Sequence, residues 1–292
     1  MIPAAGDITS GVPFSWNPLD DLQQLFQFEF ERNAYAAGTA AAIAAGVVGY
    51  FVVLRGLSFA AHSLSQIGFA GATGALVANV DPIYGLLVVN GAGAGIIGAV
   101  GRRRAGRDVV VGLVLTSALG LGLLFLALSR AQEAVPVLVG DVLAVSAHEA
   151  AITEAAAVAI LVAVAMCYRP LLLSSVDEEL AEARGARPAL MSVLLLLVLA
   201  TATSVATPIV GVLLTFALLV GPAATAATLV ARPGWAIAVS VALGVLYVWV
   251  GLAVSYWVDF PPGVFVTGMA FAGYLAARTI GGARTRPGAR AV

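Results

Sequence analysis

The sequence has no lysine; all 15 of its basic residues are arginine. That absence excludes a Walker-type phosphate loop and any Schiff base on a lysine amine. If ATP drives this protein, another chain must bind it. A single cysteine, Cys167, excludes a disulfide framework and a cysteine-based metal cluster. Histidine occurs only at 62 and 148. Charge is scarce as well: 11% of the 292 residues are charged, while 61% are hydrophobic. Mean hydropathy is +0.99. A soluble domain carries about 25% charged residues and could not hide this much apolar surface. The chain therefore reads as an integral membrane protein. Met1 to Ser10 contain Asp7 and no arginine, so the basic start of a secretory signal is missing.

What is present is a series of apolar segments. Nine read as membrane-spanning helices, with eight to ten as the range: roughly 34–54, 57–78, 84–101, 109–129, 150–168, 189–206, 208–230, 234–257 and 263–279. Turn or charge signals separate them, among them Arg55-Gly56, Asp81-Pro82, Thr207-Pro208 and Arg232-Pro233-Gly234. The expected fold is an all-α polytopic transmembrane bundle. Arginine sets its orientation. With the N-terminus outside and the C-terminus inside, only Arg32 and Arg130 fall outside. One long span over 189–230 would flip everything after it, so the break is placed at Thr207-Pro208. The formal net charge of −1 then reads as a cancellation, with acids gathered outside and arginines inside.

Ahead of the first span, Asn17-Pro18-Leu19-Asp20-Asp21 is a good helix start. Leu19, Leu22, Phe26 and Phe30 follow at helical spacing. This reads as an amphipathic helix in the outer interface, or as a packed cap on the bundle. The domain boundaries are 1–33 for this extracytoplasmic segment, 34–280 for the transmembrane domain and 281–292 for a basic cytoplasmic tail.

Several motifs need weighing. Gly93-Ala94-Gly95-Ile96-Ile97-Gly98 fits a dinucleotide fingerprint, but it lies inside an apolar span and reads as close helix packing. His148-Glu149 opens like a zinc-protease motif whose second histidine is missing. His62 and Gln66 are four residues apart, hence on one helix face. Seven residues beyond Arg55, His62 would sit roughly 10 Å into the membrane. Imidazole and an amide oxygen can both ligate a divalent cation. The same pair also reads as hydrogen-bonded glue between helices. Glu133, Asp141, Glu149 and Glu154 surround His148 on the outer side. They would concentrate cations at an outer mouth, or form a solvated loop. On the inner side lie an acidic patch, Asp177 to Gly185, and a small-residue segment opened by Gly221-Pro222 and closed by Pro233-Gly234.

The sequence resembles the membrane permeases of bacterial metal-ion (zinc/manganese) ABC importers. The likeness covers about 34–280 and rests on the order of several stretches. These are Val53-Leu54-Arg55-Gly56-Leu57-Ser58-Phe59, Leu64-Ser65-Gln66-Ile67-Gly68, Gly140-Asp141-Val142-Leu143, the Asp177 patch, Gly221-Pro222-Ala223-Ala224-Thr225-Ala226 and Gly251-Leu252-Ala253-Val254-Ser255-Tyr256. The resemblance implies a non-enzymatic, multi-pass permease of the bacterial cytoplasmic membrane that imports a divalent transition metal. It implies a separate ATPase that binds the ATP, an extracytoplasmic metal-binding protein and a second permease copy, homodimeric or heterodimeric. No resident cofactor and no nucleic acid are expected. Gly221, Pro222, Ala223, Ala224, Thr225 and Arg232 match the family's ATPase-coupling region, with Asp177, Glu178 and Glu179 as a second contact. His62, Gln66 and Asp141 are the expected pathway residues. The family usually has Asp and His where this chain has His62 and Gln66, so the spacing is kept and the carboxylate is gone. Imidazole without carboxylate favours zinc slightly over manganese. The rival readings are a proton-coupled carrier with His62 as relay, or a permease of this family with altered substrate or a non-transport membrane role.

Overall fold

The computed structural model describes residues 29–101, 106–128, 146–212, 215–258 and 260–284. All regular structure among them is helical, in eleven helices. These are α1 (Glu29–Leu54), α2 (Ser58–Val77), α3 (Pro82–Val100), α4 (Arg107–Leu128), α5 (Ala147–Met166), α6 (Tyr168–Val176), α7 (Glu178–Ala183), α8 (Pro188–Val210), α9 (Thr215–Leu229), α10 (Pro233–Val258) and α11 (Pro262–Arg284). Each of the nine expected segments coincides with one of the longer helices. Six are long and apolar enough to cross a membrane: α1, α3, α4, α5, α8 and α10. His62, Ser63, Ser65 and Gln66 dilute the apolar character of α2, and α9 has only 15 residues.

Local chemistry explains the helix starts. Asp81 caps α3, its Oδ1 accepting from the Ile83 N–H at 2.9 Å, and Pro82 follows where a missing N–H costs nothing. Ser146 and Glu149 form a reciprocal capping box on α5. Asp177 caps α7 through the Leu180 N–H at 2.9 Å.

Three boundaries differ from expectation. The break placed at Thr207-Pro208 falls instead at Gly211, because α8 runs on to Val210. Pro208 removes only one backbone bond close to the helix end. Gly211, at φ 87° and ψ 153°, takes a conformation nearly closed to other residues. Nor does Gly221-Pro222 open a helix: Pro222 is buried inside α9, which begins at Thr215. At the start of the bundle, α1 begins at Glu29, five residues ahead of the expected span. The expected amphipathic helix falls largely on residues outside the described set, as does the tail beyond residue 284.

The most enclosed long helix is α1, packed against α5, α8, α9 and α10. A second group forms where α2 packs on α3 and α4, and α8 joins the two groups by touching both α1 and α3. Glycines let these helices approach. A Cβ at Gly49 would strike the Leu219 carbonyl, and one at Gly71 the Gly85 carbonyl. Gly93 and Gly98 likewise rest on Ile67 and Val193, the packing role expected of that motif. The outward faces are apolar, with Leu113, Leu124 and Leu128 on α4 and Val158, Val162 and Met166 on α5 all exposed.

Candidate metal pathway

His62 and Gln66 lie one turn apart on α2, both half-buried. The His62 ring meets Phe216 edge-on, with centroids 5.3 Å apart and planes at 83°. Phe216 belongs to the first turn of α9. The preceding Thr215 sends both its N–H (3.0 Å) and its hydroxyl (2.6 Å) back to the Gly211 carbonyl. His62 therefore sits beside a break in helical backbone. At membrane depth such a break is tolerated where it is buried in protein or lines a cavity. A groove of about 500 Å³ continues from there, lined by Ser58, Phe216, Gly221, Thr267 and Tyr274 among others.

Among the described residues no three His, Cys, Asp or Glu side chains come together to hold a metal. One chain thus offers an imidazole nitrogen and an amide oxygen from α2. Asp141 and Glu133 lie outside the described residues. His148 belongs to a different place: its Nε2 lies 3.1 Å from the Tyr84 hydroxyl, joining the starts of α5 and α3. Glu149, grouped with the outer acids, is engaged in the capping box.

The expected coupling residues divide. Pro222, Ala223 and Thr225 are buried, and Gly221 packs on Ala270 of α11. Arg232, in the turn from α9 to α10, is exposed, as are Asp177, Glu178 and Glu179.

Two polar constellations escape sequence reasoning. Arg55, in the turn between α1 and α2, donates from Nε to Ser175 Oγ at 2.7 Å and from Nη1 to Ser192 Oγ at 2.9 Å. Its Nη2 donates to Ser174 Oγ at 2.5 Å and to the Leu171 carbonyl at 3.3 Å. In the sequence Arg55 marks sidedness, a turn and a stretch of the family resemblance, but not its partners; the Ser174-Ser175 pair was the available signal. Asn90 of α3, fully buried, donates to Thr203 and Ser204 of α8 at 3.3 and 3.0 Å. Its amide rests against Gly68 of α2, and its Oδ1 has no partner among the described residues.

Long apolar helices in one bundle, with polar side chains held among them, define a multi-pass membrane protein. The chain belongs to the ABC 3 transport family, whose pattern matches residues 27–280. It is 30% identical over 242 residues to the manganese import system permease protein ScaB of Streptococcus parasanguinis, covering 82% of this chain and 85% of that one. The manganese transport system membrane protein MntC of Listeria monocytogenes is 29% identical, with 80% and 85% covered. Among solved structures, PsaBC from Streptococcus pneumoniae in complex with Fab superposes with a TM-score of 0.80 at 27% identity. That match covers 89% of this chain and 95% of that one.

Proposed function

We propose that this chain is the permease subunit of an importer for a divalent transition-metal ion, with His62 and Gln66 in the ion's path. The observation that carries the reading is His62, one turn from Gln66 on α2, held against Phe216 beside the α8–α9 break. The manganese named for ScaB and MntC supports the substrate class. Ligand chemistry argues for zinc and the relatives for manganese, so both ions belong in the test.

Two donors do not complete a metal's coordination shell, which for zinc takes four. A second copy of the chain, related by two-fold symmetry, would bring a second imidazole and amide to the first pair. Half-buried polar groups at this depth are costly against lipid, so that face calls for a cover. Weak ligands suit a carrier, since binding must be loose enough to release. Asp141 would assist intake at the outer mouth.

In this reading the N-terminus is outside and all nine long helices cross. As an α-helix α9 spans about 22 Å of the roughly 30 Å hydrocarbon core, and the Gly211 turn supplies the rest of that passage. The chain holds no cofactor of its own. A separate ATPase binds ATP and docks on the inner surfaces around Arg232 and Asp177–Glu179, and an extracytoplasmic binding protein delivers the ion. The direct test is ATP-dependent uptake of Mn²⁺ and Zn²⁺ by proteoliposomes containing the complete transporter. His62→Ala and Gln66→Ala should each lower uptake about tenfold or more. Unchanged uptake in both variants would sink the assignment.

A further inference from the structure

We propose that Arg55 is the positioning residue that links the cytoplasmic helices α6 and α7 to α2. The inference rests on the reading of α7 as an ATPase contact and adds the route by which its movement reaches the pathway. Arg55 stands three residues ahead of Ser58, the first residue of α2, and seven ahead of His62. The turn that carries it is tight. The Arg55, Gly56 and Leu57 N–H groups return to the Phe51, Val53 and Val52 carbonyls, and Gly56 sits at φ 65°. Leu57 is buried directly after it. A push on the guanidinium is therefore delivered to the start of α2 rather than lost in a slack loop.

The other end of the link is equally defined. Nε and Nη2 hold α6 through Ser175, Ser174 and the Leu171 carbonyl, while Nη1 holds Ser192 in the second turn of α8. The two α6 serines also donate to the Leu171 carbonyl, so their hydroxyls are oriented to accept from arginine. Below this contact Leu171 is buried, and Tyr168 packs edge-on against Phe51 of α1 with centroids 6.2 Å apart. Asp177 is shared: it ends α6 and caps α7, and α7 packs on α6, so the two helices are joined by one residue and by direct contact. Arginine's planar fork of fixed donors suits acceptors on two helices, α6 and α8, approached in different directions. A lysine ammonium, a point charge on a flexible stem, cannot span them all.

The experiment uses the assembled transporter and hydrogen exchange, with and without ATP. Protection of residues 177–184 by the ATPase subunit is expected, and its absence would sink the docking reading. With that protection present, ATP should change exchange across residues 58–66 in the wild type. In Arg55→Ala this response should fall about threefold or more, with Arg55→Lys between the two. Mn²⁺ moved per ATP hydrolysed should fall about tenfold in Arg55→Ala while ATP hydrolysis stays within about twofold. If Arg55→Ala does not assemble, the double variant Ser174→Ala/Ser175→Ala is read in the same way. A wild type without any ATP response over 58–66, or variants that keep the full response and coupling ratio, would overturn the proposal.

Discussion

His62 of α2 faces Phe216 of α9 edge-on, so the imidazole is positioned by the helix that starts just after the Gly211 break. Aromatic edge contacts of this kind contribute about 0.5–1.5 kcal/mol beyond buried area. The ring thus has a fixed neighbour on one side. Phe59, one turn earlier on α2, is exposed at 44%.

The first prediction concerns ion choice. His62→Asp combined with Gln66→His restores a carboxylate and an imidazole at the same spacing. Carboxylate oxygen suits manganese better than an amide does. Competition between Mn²⁺ and Zn²⁺ in uptake should shift toward manganese by about tenfold. A ratio equal to the wild type would remove these two positions from the selectivity mechanism.

Gly211→Ala tests the break. At φ 87° and ψ 153° an alanine costs on the order of 1–3 kcal/mol. The strain falls on the turn that leads into Phe216. Lower uptake is expected, together with a lower melting temperature of the purified chain. Normal values for both would mean that the turn adapts freely.

Helix packing gives a matched pair. A Cβ at Gly49 meets the Leu219 carbonyl, whereas one at Gly120 has nothing within 4 Å. Gly49→Ala should destabilise by about 1–3 kcal/mol. Gly120→Ala should be neutral or slightly stabilising, because alanine is the better helix former. Thermal unfolding in detergent reads both, and similar losses would contradict the packing described.

Asn90→Ala removes the link between α3 and α8. Polar contacts between membrane helices contribute on average about 0.6 kcal/mol and up to about 1.7. Asn90→Leu deletes both the donor and the orphan Oδ1 while restoring bulk, so it should cost less than alanine. The order of the two variants in unfolding free energy is the check.

Much of the bundle was legible from sequence because membrane helices announce themselves by length and hydropathy, and Asp81-Pro82 marks its own helix start. The Gly211 break was not, since Thr207-Pro208 is the louder signal and only the backbone angles decide between them. The inner small-residue segment misled in the same way: Gly221-Pro222 has the form of a helix start, yet Pro222 lies buried inside α9, which begins at Thr215. For the site, helical spacing put His62 and Gln66 on one face, but nothing local pointed to Phe216. Arg55 was hidden by distance, its partner Ser192 lying 137 residues along the chain. Hydrogen bonds of that span leave no periodic trace.

The enclosure of α1 has a consequence for biosynthesis. It is made before every other described helix, yet Gly46 and Gly49 fit against Val241 and Leu219, which are made among the last. Until those segments emerge, the faces of α1 that meet α9 and α10 lack their partners. Its long-range pairings make assembly slow and exposed to misassociation. Products truncated before α9 therefore contain the most enclosed helix without two of the four helices that enclose it, α9 and α10.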